Sequence, residues 1–122
     1  MPIRVLIVCL GNICRSPTAE AVLRGRVEAR GLSQRIEVDS AGTAAYHIGN
    51  PPDSRSQAAA LKRGYDLSSL TARQISLQDF ESFDYILAAD SQNLTDILTL
   101  QKQALSEGVV SRAIISLFLE PL

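Results

Sequence analysis

Short apolar segments, each followed by a tight polar loop and then by helical periodicity, constrain this chain more than any other feature. Ile3-Arg4-Val5-Leu6-Ile7-Val8 is the first of them. A run so apolar and β-branched suits a strand covered on both faces, as in a parallel sheet. It gives way to Gly11-Asn12, after which Ser16 is placed to cap a helix and Pro17 to take its first position. Ala19, Val22, Leu23 and Val27 recur at helical spacing until Gly31. The alternation continues: residues 35–38 read as a second strand closed by Ser40-Ala41-Gly42. A loop through Tyr46, His47 and Gly49 ends at Pro51-Pro52, and Asp53 caps a helix running to Gly64. Residues 83–88 read as a third strand and 90–103 as a long helix. Asp90 and Asn93 form its cap and first turn, and Leu94, Ile97 and Leu98 face inward. Residues 113–119 read as a fourth strand. Strands alternating with helices predict an α/β fold of three layers, a four-stranded parallel sheet with helices on both faces. With no repeat or linker, residues 1–122 are expected to form a single domain. In such sheets ligands gather at the carboxyl ends of the strands, and the first such end is Cys9.

Composition narrows the chemistry. Twelve basic and thirteen acidic side chains leave a net charge of −1, without the basic excess of a nucleic-acid binder. Apolar residues make up 46 % and charged ones 20 %, which fits a globular domain rather than a disordered tail. No apolar run reaches the roughly 18 residues of a membrane helix, and the N-terminus lacks a signal peptide's apolar core. The cytoplasm is the expected location, with no membrane partner. The two cysteines, Cys9 and Cys14, form no disulfide framework, and with the single His47 they cannot fill a structural zinc site. No metal or organic cofactor is expected. His47 sits among Gly49, Asn50 and two prolines and reads as a surface residue.

From Cys9 the sequence runs CLGNICRSPTAE. Gly11 and Asn12 tolerate left-handed backbone. A loop containing them can turn successive N–H groups inward around an anion, and the N-terminus of the following helix adds positive potential at the same spot. Arg15 supplies a planar fork that matches two phosphoryl oxygens. Residues Leu10, Gly11, Asn12, Ile13, Cys14 and Arg15 would then cradle a tetrahedral dianion above the Cys9 sulfur. The same surroundings favour thiolate over thiol, and a hydroxyl from Ser16 or Ser40 would add to that. A thiolate beneath a phosphate monoester is placed for in-line attack on phosphorus. The bland alternative is that Cys9 is a small buried hydrophobe at a strand end.

CLGNICRSP resembles the signature loop of the low-molecular-weight protein tyrosine phosphatases, C-x5-R-S near the N-terminus. DSAGT (39–43), GNPPD (49–53), ARQI (72–75) and FDYILAADSQNL (83–94) are similar to family segments in the same order. The resemblance implies hydrolysis of phosphotyrosine or small aryl phosphates. It implies Cys9 as nucleophile, Arg15 as phosphate clamp, Ser16 as thiolate partner, and Asn12 and Ser40 as supports of the loop. Tyr46 matches a position lining the substrate entrance. Cys14 matches a second cysteine that pairs reversibly with the nucleophile against overoxidation; the alternative is a packing residue under the loop. Asp90 is implied to be structural or orienting rather than the acid.

The family completes its site with a later Asp-Pro-Tyr loop, whose Asp protonates the leaving oxygen and then activates water. These 122 residues contain no such motif and end at Glu120-Pro121-Leu122, short of the family's length. Leu70 stands where the family often has a loop-organising histidine. The expectation is phosphorylation of Cys9 followed by slow turnover, since general acid–base help contributes about 10²–10⁴-fold. A monomer or weak self-association is expected. The alternatives are a non-catalytic phosphate- or phosphotyrosine-binding module, a thioredoxin-coupled arsenate reductase, and a phosphocysteine carrier of sugar uptake. The reductase needs further late cysteines, and none follows Cys14. Arg15 and the remote family segments argue against the carrier.

Overall fold

A computed structural model of the chain describes residues 2–118. Strands β1 (Ile3–Cys9), β2 (Ile36–Gly42), β3 (Tyr85–Ala88) and β4 (Ile114–Leu117) form one parallel sheet in the order β2-β1-β3-β4. They are linked by α1 (Arg15–Ala29), α2 (Ser54–Lys62), α3 (Asp79–Ser82) and α4 (Ser91–Ser106). The expected α/β sheet of four parallel strands is present. β1 lies inside it, and Leu6, Ile7 and Val8 have no solvent exposure. That is the environment its apolar run called for. Alternate side chains leave a strand on opposite faces. Leu6 and Val8 pack with Phe80, Ile86, Ile97 and Ala104 on the α4 side, while Val5 and Ile7 meet Val38, Ala19 and Leu23 on the α1 side. The pairings Cys9↔Gly42 and Val8↔Ala88 bring three strand ends out level. The loops after β1, β2 and β3 therefore converge.

Several local expectations are corrected. Helix α1 begins at Arg15 with Cys14 in the cap position, and no side chain caps it. Ser16 lies inside the first turn with its hydroxyl turned to Cys9 rather than to the helix N–H groups. β2 continues through Ser40-Ala41-Gly42 instead of closing there. β3 starts only at Tyr85, because Phe83 ends the short helix α3, which the sequence pattern did not announce. Leu98 of α4 is 41 % exposed. The inward stripe of that helix is Asn93, Ile97, Leu100 and Ala104, at i, i+4, i+7 and i+11, which leaves Leu98 one step off it. Of the predicted fourth strand, Leu119 lies outside the described residues.

Candidate active site

β1 ends at Cys9 and α1 starts at Arg15, so five residues must reverse the chain at the carboxyl end of the sheet. Asn12 makes the reversal with φ at +58°, a left-handed conformation that asparagine tolerates better than most residues. The turn carries the Asn12 N–H to the buried Cys9 sulfur at 3.3 Å, and Ser16 Oγ stands 3.0 Å from the same sulfur. Among the described residues, no protein acceptor takes the N–H groups of Gly11, Ile13, Cys14 or Arg15. Unpaired donors crowded into a loop at a helix N-terminus make a site for an anion.

The loop is held from outside by its asparagine. Asn12 Nδ2 donates to Ser16 Oγ at 2.8 Å and to Ser40 Oγ at 2.9 Å, and Asn12 Oδ1 accepts the Arg73 backbone N–H at 2.9 Å. Since Arg73 fixes the amide orientation, both amide protons face the serines. The Ser16 oxygen accepts there, and its own proton can go to the Cys9 sulfur at 3.0 Å or to the Ala41 carbonyl at 3.5 Å. Gly42 backs the loop closely: a Cβ there would lie 2.7 Å from the Leu10 carbonyl oxygen and 3.1 Å from the Asn12 nitrogen. The Gly42 carbonyl and N–H bond Ile75 and Arg73, so the ARQI segment and the loop lock onto the same strand end.

Arg15 projects from the first turn of α1 and bonds Asp90 Oδ2 through Nη1 at 2.7 Å, with both side chains about half exposed. This hydrogen bond strengthens the hold of the guanidinium on its proton. The other Asp90 oxygen accepts the Asn93 N–H at 2.8 Å and caps α4. The Asn93 N–H first, and Arg15 second, push the Asp90 carboxyl below its ordinary value. Cys14 is exposed, with Sγ 3.0 Å from Ser56 Oγ at the start of α2. It is not a packing residue under the loop. Both cysteines are free. Leu10 and Tyr46 are exposed, and Ile13 is partly buried with its carbonyl bound by the Asp53 N–H. His47 is partly exposed. It stands edge-on to Tyr46 and against the loop, with its Cδ2 2.9 Å from where a Gly11 Cβ would be.

Sequence reading missed Glu20, which is 3 % exposed and bonded to Ser40 Oγ at 2.6 Å and to Arg24. Its signals were a position four residues after Ser16, on the same helix face, and an arginine four residues further on. It also missed the Arg73 N–H and the ion pair of Asp90 with Arg15.

A parallel α/β sheet with a thiol at the floor of the loop after its first strand defines the class of the chain. A sequence model of the low molecular weight phosphotyrosine protein phosphatases matches residues 4–111, and the chain belongs to this family. It is 50 % identical over 117 residues to the low molecular weight phosphotyrosine protein phosphatase of Schizosaccharomyces pombe, covering 95 % of this chain and 70 % of that one. It is 54 % identical over 93 residues to the human enzyme of the same name, covering 76 % and 58 %. The crystal structure of YfkJ from Bacillus subtilis superposes with a TM-score of 0.83 at 40 % identity, over 94 % of this chain and 70 % of that one. The chain thus spans between about three fifths and seven tenths of the length of these relatives.

Proposed function

We propose that the chain hydrolyses phosphotyrosine or small aryl phosphate monoesters through a phosphocysteine on Cys9. The observation that carries this reading is the Cys9 sulfur, held between the Ser16 hydroxyl and the Asn12 N–H at the floor of a loop of unpaired N–H groups. The thiolate attacks phosphorus, the bond to the aryl oxygen breaks, and the phenolate leaves with the electron pair. Arg15 turns from Asp90 to two phosphoryl oxygens, and the loop N–H groups hold the charge of the transition state. Water then displaces the Cys9 sulfur and releases phosphate. In this reading Tyr46 flanks the substrate ring and Cys14 is the partner that would trap an oxidised Cys9. Two free cysteines suit the reducing cytoplasm, and among the described residues no helix is long and apolar enough to cross a membrane.

These 122 residues contain no Asp-Pro-Tyr. The carboxylate nearest the clamp, Asp90, is committed to Arg15 and the α4 N-terminus. The first step should therefore outrun the second. Stopped-flow hydrolysis of p-nitrophenyl phosphate is expected to show a stoichiometric burst and then slow turnover, and Cys9→Ser should abolish both. Turnover as fast as the burst would remove the idea of a limiting second step. Phosphate binding without any burst would instead favour a non-catalytic phosphate-binding module.

A further inference from the structure

Glu20 is the most buried carboxylate among the described residues, at 3 % exposure, yet it touches neither the sulfur nor the rim of the loop. A buried carboxylate is costly to keep ionised, and burial pushes this one above its ordinary value. Its surroundings are specific. Oε2 takes Arg24 of α1, whose Nη2 also reaches the Val38 carbonyl of β2 at 2.7 Å. Oε1 takes the Ser40 hydroxyl of β2 at 2.6 Å. The other charge facing it is Asp39 of β2, itself bonded by Arg73 at 3.2 Å.

The direction of donation links these contacts to the loop. Ser40 has one hydroxyl proton and gives it to Glu20, so its oxygen accepts from Asn12 Nδ2 at 2.9 Å. The Arg73 N–H on Asn12 Oδ1 prevents the amide from turning over. The second amide proton goes to Ser16, whose hydroxyl lies 3.0 Å from the Cys9 sulfur and 3.5 Å from the Ala41 carbonyl. We propose that Glu20 is a positioning residue: by keeping Ser40 an acceptor, it anchors Asn12 in its left-handed turn and so shapes the loop around Cys9. Its effect on ligand binding rests on the phosphatase reading above; its effect on Asn12 does not.

Glu20→Gln tests this with little change of volume. The Gln carbonyl would face the Arg24 cation and its amide would face Ser40. Two donors then meet on the Ser40 oxygen, and its hydroxyl proton has no acceptor. The measurements are hydrogen exchange of the Asn12 side-chain amide by NMR and the Kd for inorganic phosphate. One net hydrogen bond corresponds to about a fivefold change. Glu20→Gln should therefore speed that exchange and weaken phosphate binding about fivefold. Ser40→Ala should do the same, and the double variant should lose no more than either single one. If the Gln variant does not fold, Ser40→Ala decides: phosphate affinity equal to that of the parent chain would overturn the proposal. So would parental exchange in Glu20→Gln, or losses that add up independently in the double variant. A parent chain that binds no phosphate rejects the phosphatase reading, and Asn12 exchange alone then decides the role of Glu20.

Discussion

Asn12 adopts a backbone conformation that costs a non-glycine residue roughly 1–2 kcal/mol, and its side chain offsets that cost through bonds to Ser16, Ser40 and Arg73. Glycine would adopt the turn freely but could not anchor it, which is why the position needs a short amide. Gly42 has the opposite requirement, because any Cβ would enter the backbone of the loop. Gly42→Ala must displace Leu10 and Asn12, and strain of this kind costs about 1–3 kcal/mol. The variant is expected to melt lower and to lose most phosphate affinity, as calorimetry and titration would show; parental values for both would mean the loop yields freely. The residues of the loop itself were legible in the sequence, since Cys9, Asn12, Arg15 and Ser16 lie within one short motif. Arg73 was not, because what it contributes is a backbone N–H 61 positions away, which no side-chain pattern reveals. Glu20 was not legible either, because only the packing of α1 on β2 buries it against Ser40.

Asp90 joins two elements, capping α4 with one oxygen and holding the α1 residue Arg15 with the other. Losing such a cap costs about 1 kcal/mol, so Asp90→Ala should lower the unfolding free energy by about that much. The sign of its pH dependence follows from linkage. The folded-state value of Asp90 is depressed, so its contribution is present above the ordinary carboxylate range and is lost as pH falls through the folded value. Urea melts of parent and Asp90→Ala should differ near neutrality and converge in acid. A gap that persists at low pH would show that the carboxylate charge is not what stabilises the junction. The sheet and the three longer helices were readable from apolar periodicity and from Asp53 and Asp90 as caps. Helix α3 was not, since four residues carry no period. The start of α1 was misread because Ser16 looks like a cap, while its hydroxyl is drawn to the nearby sulfur. A tertiary contact there overrides a local rule.

For the whole molecule, the two faces of the sheet are unequally dressed. On the α1 side, Ile3, Tyr85 and Ile114 are 47 %, 38 % and 58 % exposed, and by strand alternation they share the face that carries Val5 and Ile7. Apolar side chains in adjacent parallel strands favour contact with another apolar surface. The 122-residue chain is therefore expected to self-associate at high concentration, and Ile114→Glu should reduce this. Sedimentation equilibrium would check it; a parent chain that stays monomeric throughout would remove the expectation. The loop has a different consequence. Its walls come from residues 9–16, 40–42, 73 and 90, which meet only when the sheet is complete, so an anion lodged there is bound by the folded chain alone. By mass action, free phosphate at a hundred times its Kd would add about 2.7 kcal/mol to the unfolding free energy. The melting temperature of this chain is then set by its buffer as well as by its sequence.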